Sequence, residues 1–187
     1  ANIDPSTGVR GPEAILLPAF SFPDPGVCEV MTYIDNASNV TIKGFSFDGD
    51  NPALTTGVTI DGANVDACVI IGGWSGTYSN ITIENNILKH ATYAGIDLAN
   101  YPSWTPTSGN TITHNRFEDI GETTYNFGVG VITHYNFNAD ITYNVMTGVR
   151  IGIQTENINA ASPGAANTIS NNTIGAWRLG IFHNTRS

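Results

Sequence analysis

The sequence predicts an all-β solenoid, a parallel β-helix, and three observations carry that prediction. A short phrase recurs at a fixed spacing, its residues alternate apolar and polar, and its turns are marked by asparagine and glycine. "SNITIENNI" (79–87), "GNTITHNRF" (109–117), "ADITYNVM" (139–146) and "ANTISNNTI" (166–174) place Ile83, Ile112, Ile141 and Ile169 in one column, at spacings of 29, 29 and 28 residues. A period of roughly 20–50 residues whose unit is strand, turn, strand marks a solenoid.

Taken in chain order, the earliest copy is "SNVTIKGFSF" (38–47), which supplies Ile42 and Phe47 but has Phe45 where later copies have asparagine. In the later copies the asparagines are Asn86, Asn115, Asn144 and Asn172, followed by an apolar column of Leu88, Phe117, Met146 and Ile174. After a short gap a second strand begins at a glycine: "GIDLAN" at Gly95, "GVITHY" at Gly130, "GIQTEN" at Gly152 and "GIFHNT" at Gly180. The two-residue alternation excludes a helical repeat, and a propeller blade needs a longer four-stranded unit. About six coils are expected, stacked at about 4.8 Å in a single domain over 1–187. The repeated asparagine has a physical reason: it tolerates the left-handed backbone of a sharp turn, and stacked asparagines bond to one another as a ladder.

Composition narrows the partners. With 41% hydrophobic and 12% charged residues, the chain has the means to bury a core and is not a disordered segment. A net charge of −9 lacks the basic face that nucleic acid or an anionic membrane would require. No apolar run is long enough to insert in a membrane, and no signal-peptide pattern is visible.

These phrases resemble the pectin-lyase-like right-handed parallel β-helix proteins over roughly residues 30 to 187. "GVRGPEAILL" is similar to the lead-in of secreted and surface members from bacteria and archaea. The resemblance implies the fold, whereas the superfamily's lyases, hydrolases, epimerases, phage tail proteins and adhesins leave the activity open. Neither end shows an amphipathic cap, so the expectation is either a piece of a longer solenoid or a subunit that stacks head to tail into a fibre. Cys28 and Cys68 fall in equivalent places of neighbouring coils. Either they form a disulfide, which would suit an extracellular or cell-surface protein, or they are two small core residues. Sequons at Asn36, Asn39, Asn80 and Asn171 permit glycosylation, although a chain rich in Asn and Thr generates them by chance.

Loops should frame any site. The glycine-to-asparagine intervals are 20, 14 and 20 residues, so two long loops flank a short one and predict a cleft between 99–109 and 156–166. Its walls would carry Tyr101, Trp104 and Glu156, and its floor His134, Tyr135 and Asp140. Four residues past each strand glycine stand Ala99, His134, Glu156 and Asn184, which predicts that His134 and Glu156 touch across adjacent coils. Tyr and Trp beside carboxylates suit carbohydrate, whose C–H faces stack on rings while its hydroxyls take hydrogen bonds. The plainer alternatives are aromatics folded over the coil flank and an ordinary surface contact.

Two residues before each strand glycine come Tyr93, Gly128, Arg150 and Arg178, and two after it Asp97, Ile132, Gln154 and Phe182. Arg150 above Arg178 would make a cationic spot for uronate carboxylates. The resemblance implies, for a lyase, a basic residue beside Ca²⁺ held by several aspartates, yet around Arg150 and Arg178 the aligned coils offer Asp97 and no cluster of acidic residues. For a hydrolase it implies neighbouring aspartates with a histidine. The densest acidic group, Glu118, Asp119 and Glu122, does not match that pattern. Asp48, Asp50 and Asn51 in "DGDNPA" are weak calcium ligands, and no zinc spacing is present. The reading the residues favour is an extracellular module that presents loops to a polysaccharide or a surface protein. The alternative is a polysaccharide-processing enzyme using His134 and Glu156.

Overall fold

The computed structural model describes residues 14–102, 106–121, 126–158 and 167–186. In chain order these form β1 (Ile15–Leu16), a single 3-10 turn (Pro25–Val27), β2 (Val30–Tyr33), β3 (Thr41–Lys43), β4 (Ser46–Asp48), β5 (Val58–Ile60), β6 (Ala63–Val65) and β7 (Ala67–Ser75). Then come β8 (Thr82–Glu84), β9 (Ile87–Tyr101), β10 (Thr111–Thr113), β11 (Arg116–Ile120), β12 (Val129–His134), β13 (Asp140–Thr142), β14 (Val145–Ile158), β15 (Thr168–Ser170) and β16 (Thr173–Arg186). Apart from the β5–β6 hairpin, every paired strand is parallel, as stacked coils require.

Each coil has three stretches. The first stacks β3, β8, β10, β13 and β15, and aligns Ile42, Ile83, Ile112, Ile141 and Ile169 as direct partners. The second aligns Phe47, Leu88, Phe117, Met146 and Ile174 through β4, β9, β11, β14 and β16. The third stacks β2, β7 and the later halves of β9, β14 and β16 with β12 between them, aligning Ile71, Ile96, Val131, Ile153 and Ile181. The first four members of each column form one buried core, so the repeat spacing read from the sequence is the register of the stack.

Two expectations need correction. The left-handed backbone at the first corner does not fall on the repeated asparagine. It falls one residue earlier, on Gly44, Asn85, His114, Tyr143 and Asn171, at φ between 54° and 80°. Asn86, Asn115 and Asn144 are instead fully buried, and their carboxamides bond from coil to coil. Asn115 Oδ1 accepts from Asn86 N and Nδ2, while its own Nδ2 donates to Ile83 O and Asn144 Oδ1 at 2.9 and 3.1 Å. The corner excludes water, so these amides bond to backbone groups that have no other way to be satisfied.

The second correction concerns the gap before the strand glycine. β9, β14 and β16 run through that corner unbroken; β9 bends at His90 (φ 59°), and β14 at Gly148 (φ 65°), an extra residue relative to β16. A bulge turns a strand without ending its pairing. β11 and β12 are separate, as are β4 and β7. The glycine itself faces inward because the Phe117 column lies against it: a Cβ on Gly95 would stand 2.6 Å from the Phe117 ring, and one on Gly130 2.9 Å from Met146 Sδ.

The coil from Ile42 to Ile83 is longer than the others because β5 and β6 are inserted there, joined by Asp61 and Gly62, both with positive φ. Cys28 and Cys68 form a disulfide, with 5.5 Å between their Cα atoms. It ties the segment before β2 to β7, and Cys68 is fully buried in a second apolar cluster with Val69, Ala94, Val129 and Ile132. The sequon residues Asn36, Asn39, Asn80 and Asn171 all have positive φ, so their recurrence follows from turn geometry.

Candidate functional site

Because side chains alternate across a strand, the third stretch sends Ile96, Leu98, Val131, Thr133 and Ile153 inward and the residues between them outward. On that outer surface β7 supplies Trp74, β9 supplies Tyr93, Asp97, Ala99 and Tyr101, β12 ends in His134 followed by Tyr135, and β14 supplies Glu156. Together they line a cavity of about 370 Å³.

At its base His134 sits between two buried carboxylates. His134 pairs with Ala99 in β9, and Glu156 is its neighbour on the other side, one residue beyond the Thr133–Thr155 pair. His134 Nδ1 is 2.8 Å from Glu156 Oε2, and its Nε2 is 3.2 Å from Asp97 Oδ1. The first contact has hydrogen-bond geometry. The second is close enough for an ion pair but poorly aligned, so Asp97 Oδ1 is left without a hydrogen-bond partner although Asp97 is only 4% exposed. A buried acceptor in that condition costs free energy until a donor reaches it.

Burial by itself lowers the pKa of His134, but the close contact and charge of Asp97, and then the hydrogen bond and charge of Glu156, outweigh it and hold the value above ordinary histidine. Burial and the same two carboxylates push Tyr93 up to about 12, so its hydroxyl remains a donor at any physiological pH. The sign for His134 follows by linkage. A folded pKa above the unfolded value of about 6.5 contributes stability that is fully present below about pH 6.5 and is lost as pH rises through the folded pKa. Glu156→Gln should therefore bring the His134 titration, followed by NMR of the ring nitrogens, down towards 6.5. A wild-type His134 that titrates below 6.5 would refute the arrangement.

The rings surround this base. Tyr101 and Tyr135 are 5.5 Å apart and tilted, Trp74 packs edge-on against Tyr33 at 5.8 Å, and Tyr93 leans on Phe127 at 5.1 Å. Tyr101 remains about half exposed.

The structure thus brings together four of the residues expected from sequence, His134, Glu156, Tyr101 and Tyr135, and adds three that sequence reasoning left out of the site: Trp74, Tyr93 and Asp97. Tyr135 stands in the turn after β12 and the other six lie on strands. Most of 156–166, and Trp104, lie outside the described residues. Asp140 is not part of the floor: it is exposed on β13 and lines a separate shallow depression with Thr107, Asn110 and Asn138.

Nor do Arg150 and Arg178 make an open cationic spot. β16 carries one extra residue opposite Arg150, which places the Trp177 ring 5.9 Å from the Arg150 guanidinium and leaves Arg150 only 6% exposed, while Arg178 is exposed. Asp48, Asp50 and Asn51 do not converge as calcium ligands. Asp48 is taken by Lys89 at 2.8 Å and His90 at 2.6 Å, and the Asn51 carboxamide bonds to Pro18 O and Ala53 N. Among the described residues no group of three or more His, Cys, Asp and Glu is placed to hold a metal. In the acidic group, Glu118 bonds Arg116 and Asp119 is a left-handed corner residue, while Glu122 lies outside the described residues.

A family model described as a right handed beta helix region matches residues 32–187. No curated protein and no solved structure matches the chain.

Proposed function

From the premise that the chain belongs to the right-handed β-helix family, we propose that it is an extracellular or cell-surface module that binds a carbohydrate chain in the cavity over His134. The observation that carries this reading is the cavity itself: Trp74, Tyr93, Tyr101 and Tyr135 around the buried Asp97–His134–Glu156 group. Rings offer faces for the C–H surface of a sugar, and the carboxylates and the Tyr93 hydroxyl offer fixed partners for its hydroxyl groups. The strands beneath are held by core packing and disulfide, so little ordering remains to be done on binding. The disulfide supports an oxidising compartment.

A second reading, glycan cleavage, is favoured by the two carboxylates flanking one imidazole. Glycosidases use two carboxyl groups roughly 5–9.5 Å apart, a separation of the order that an imidazole bridge imposes. Glu156 would protonate the glycosidic oxygen as the C–O bond breaks, and Asp97 would take the proton of the water that attacks the anomeric carbon. His134, with both ring nitrogens engaged, would position the pair. One experiment addresses both readings: titrate a panel of polysaccharides by tryptophan fluorescence, and assay the same mixtures for new reducing ends. Binding should weaken at least about tenfold in Trp74→Ala. New reducing ends that vanish in Glu156→Gln would establish cleavage, and bound glycan left intact would establish a binding module. If no saccharide binds a folded protein, both readings fail.

A further inference from the structure

The charges around the cavity say which sugar it takes. The whole chain has seven Lys and Arg. Lys43 is held by Glu84 at 3.0 Å, Lys89 by Asp48 at 2.8 Å and Arg116 by Glu118. Arg150 is buried beneath Trp177, and Arg178 is exposed on β16, away from the cavity. None of these five lines the cavity. Arg10 and the Arg186 side chain lie outside the described structure. The undescribed segments 103–105, 122–125 and 159–166 contain no Lys or Arg at all. Among the described side chains, two buried carboxylates therefore face a single imidazole, inside a protein of net charge −9.

We infer that the cavity binds a sugar unit bearing a protonated amino group, a hexosamine, and excludes uronates. The inference rests on the carbohydrate reading and deepens it. An ammonium meets three needs of the site. It donates to Asp97, whose buried Oδ1 meets His134 Nε2 only as a misaligned ion pair at 3.2 Å, and that bond is strengthened by charge. It sits among the ring faces of Trp74, Tyr93, Tyr101 and Tyr135, an environment that attracts cations. It also balances the excess of carboxylate over imidazole. A neutral sugar supplies only a hydroxyl donor, and a uronate sets its carboxylate beside Asp97 and Glu156, where burial weakens the screening.

The decisive test alters the ligand and leaves the protein intact. Three tetrasaccharides are titrated by calorimetry at pH 6 and moderate salt: a β-1,4-linked glucosamine tetramer, its fully N-acetylated counterpart, and tetragalacturonate. The free amine should bind at least about tenfold more tightly than the acetylated form, as one charge-assisted hydrogen bond would give, and tetragalacturonate should show no binding. Equal or tighter binding of the acetylated tetramer, or any preference for the uronate, overturns the hexosamine inference and leaves the carbohydrate site standing. Failure of all three, with the fold intact by circular dichroism, overturns the carbohydrate site itself.

Discussion

Asn115→Ala should destabilise the protein by about 3–6 kcal/mol, a large part of the 5–15 kcal/mol that holds a typical domain together. The side chain is fully buried and makes four hydrogen bonds, two as acceptor from Asn86 and two as donor to Ile83 O and Asn144 Oδ1. Truncation strands the Asn86 backbone N–H and takes a partner from the buried Asn86 and Asn144 carboxamides and the Ile83 carbonyl, in a corner closed to water where each unsatisfied group costs about 1–3 kcal/mol. Asn171 provides the control. It is exposed, and its amide makes only a long 3.5 Å contact with Ser170; its task is a left-handed backbone at φ 56°. Glycine performs that task without a side chain, so Asn171→Gly should change stability by less than about 0.5 kcal/mol. Denaturant unfolding of both variants measures the contrast. An Asn115→Ala protein within about 1 kcal/mol of wild type would show that the buried amides are replaceable.

Removing the disulfide should have an effect of comparable size and a different location. Cys28 and Cys68 are separated by 40 residues, and closing a loop of that length restricts the unfolded chain by about 4 kcal/mol. For a chain of this size that corresponds to a melting point lower by roughly 8–16 °C. Among the described strands β2 pairs only with β7, so the loss should appear as faster amide exchange in Val30–Tyr33 of Cys28→Ser/Cys68→Ser. Trp74 is carried by the same β7, but β7 is also hydrogen-bonded to β9 over Ala67–Ser75, so the cavity should persist and saccharide binding should survive. Unchanged protection of β2 in the double variant would contradict this division.

The stacked register was legible in the sequence because it is a matter of spacing: the columns through Ile83, Leu88 and Gly95 are those that pair in space. The adjacency of His134 and Glu156 followed from counting outward from the strand glycines. Asp97 escaped because that count compares residues directly opposite one another, and His134 reaches Asp97 diagonally, two residues along from its partner Ala99. Diagonal neighbours lie within reach of long side chains, and this signal was present. Trp74 escaped for another reason. Its coil contains the β5–β6 insertion between the first copy of the repeat phrase and β7, and no strand-glycine phrase was aligned there, so no column pointed to it. The turn role given to the repeated asparagine was misplaced by one residue because composition reveals which residues tolerate positive φ, whereas only the backbone reveals which one adopts it.

The inward glycine column has a consequence for how such a surface changes over time. With Gly95, Gly130 and Gly152 pressed against Phe117, Met146 and Ile174, the interior of the third stretch is closed to variation. The outward positions of the same strands form a lattice addressed by coil number and by place within the coil. A substitution at one address leaves the core beneath it untouched. Residues 22 sequence positions apart, such as His134 and Glu156, or 37 apart, such as Asp97 and His134, become adjoining squares of one board. A lineage of such chains is thereby free to rewrite its recognition surface one square at a time, while the scaffold is inherited whole.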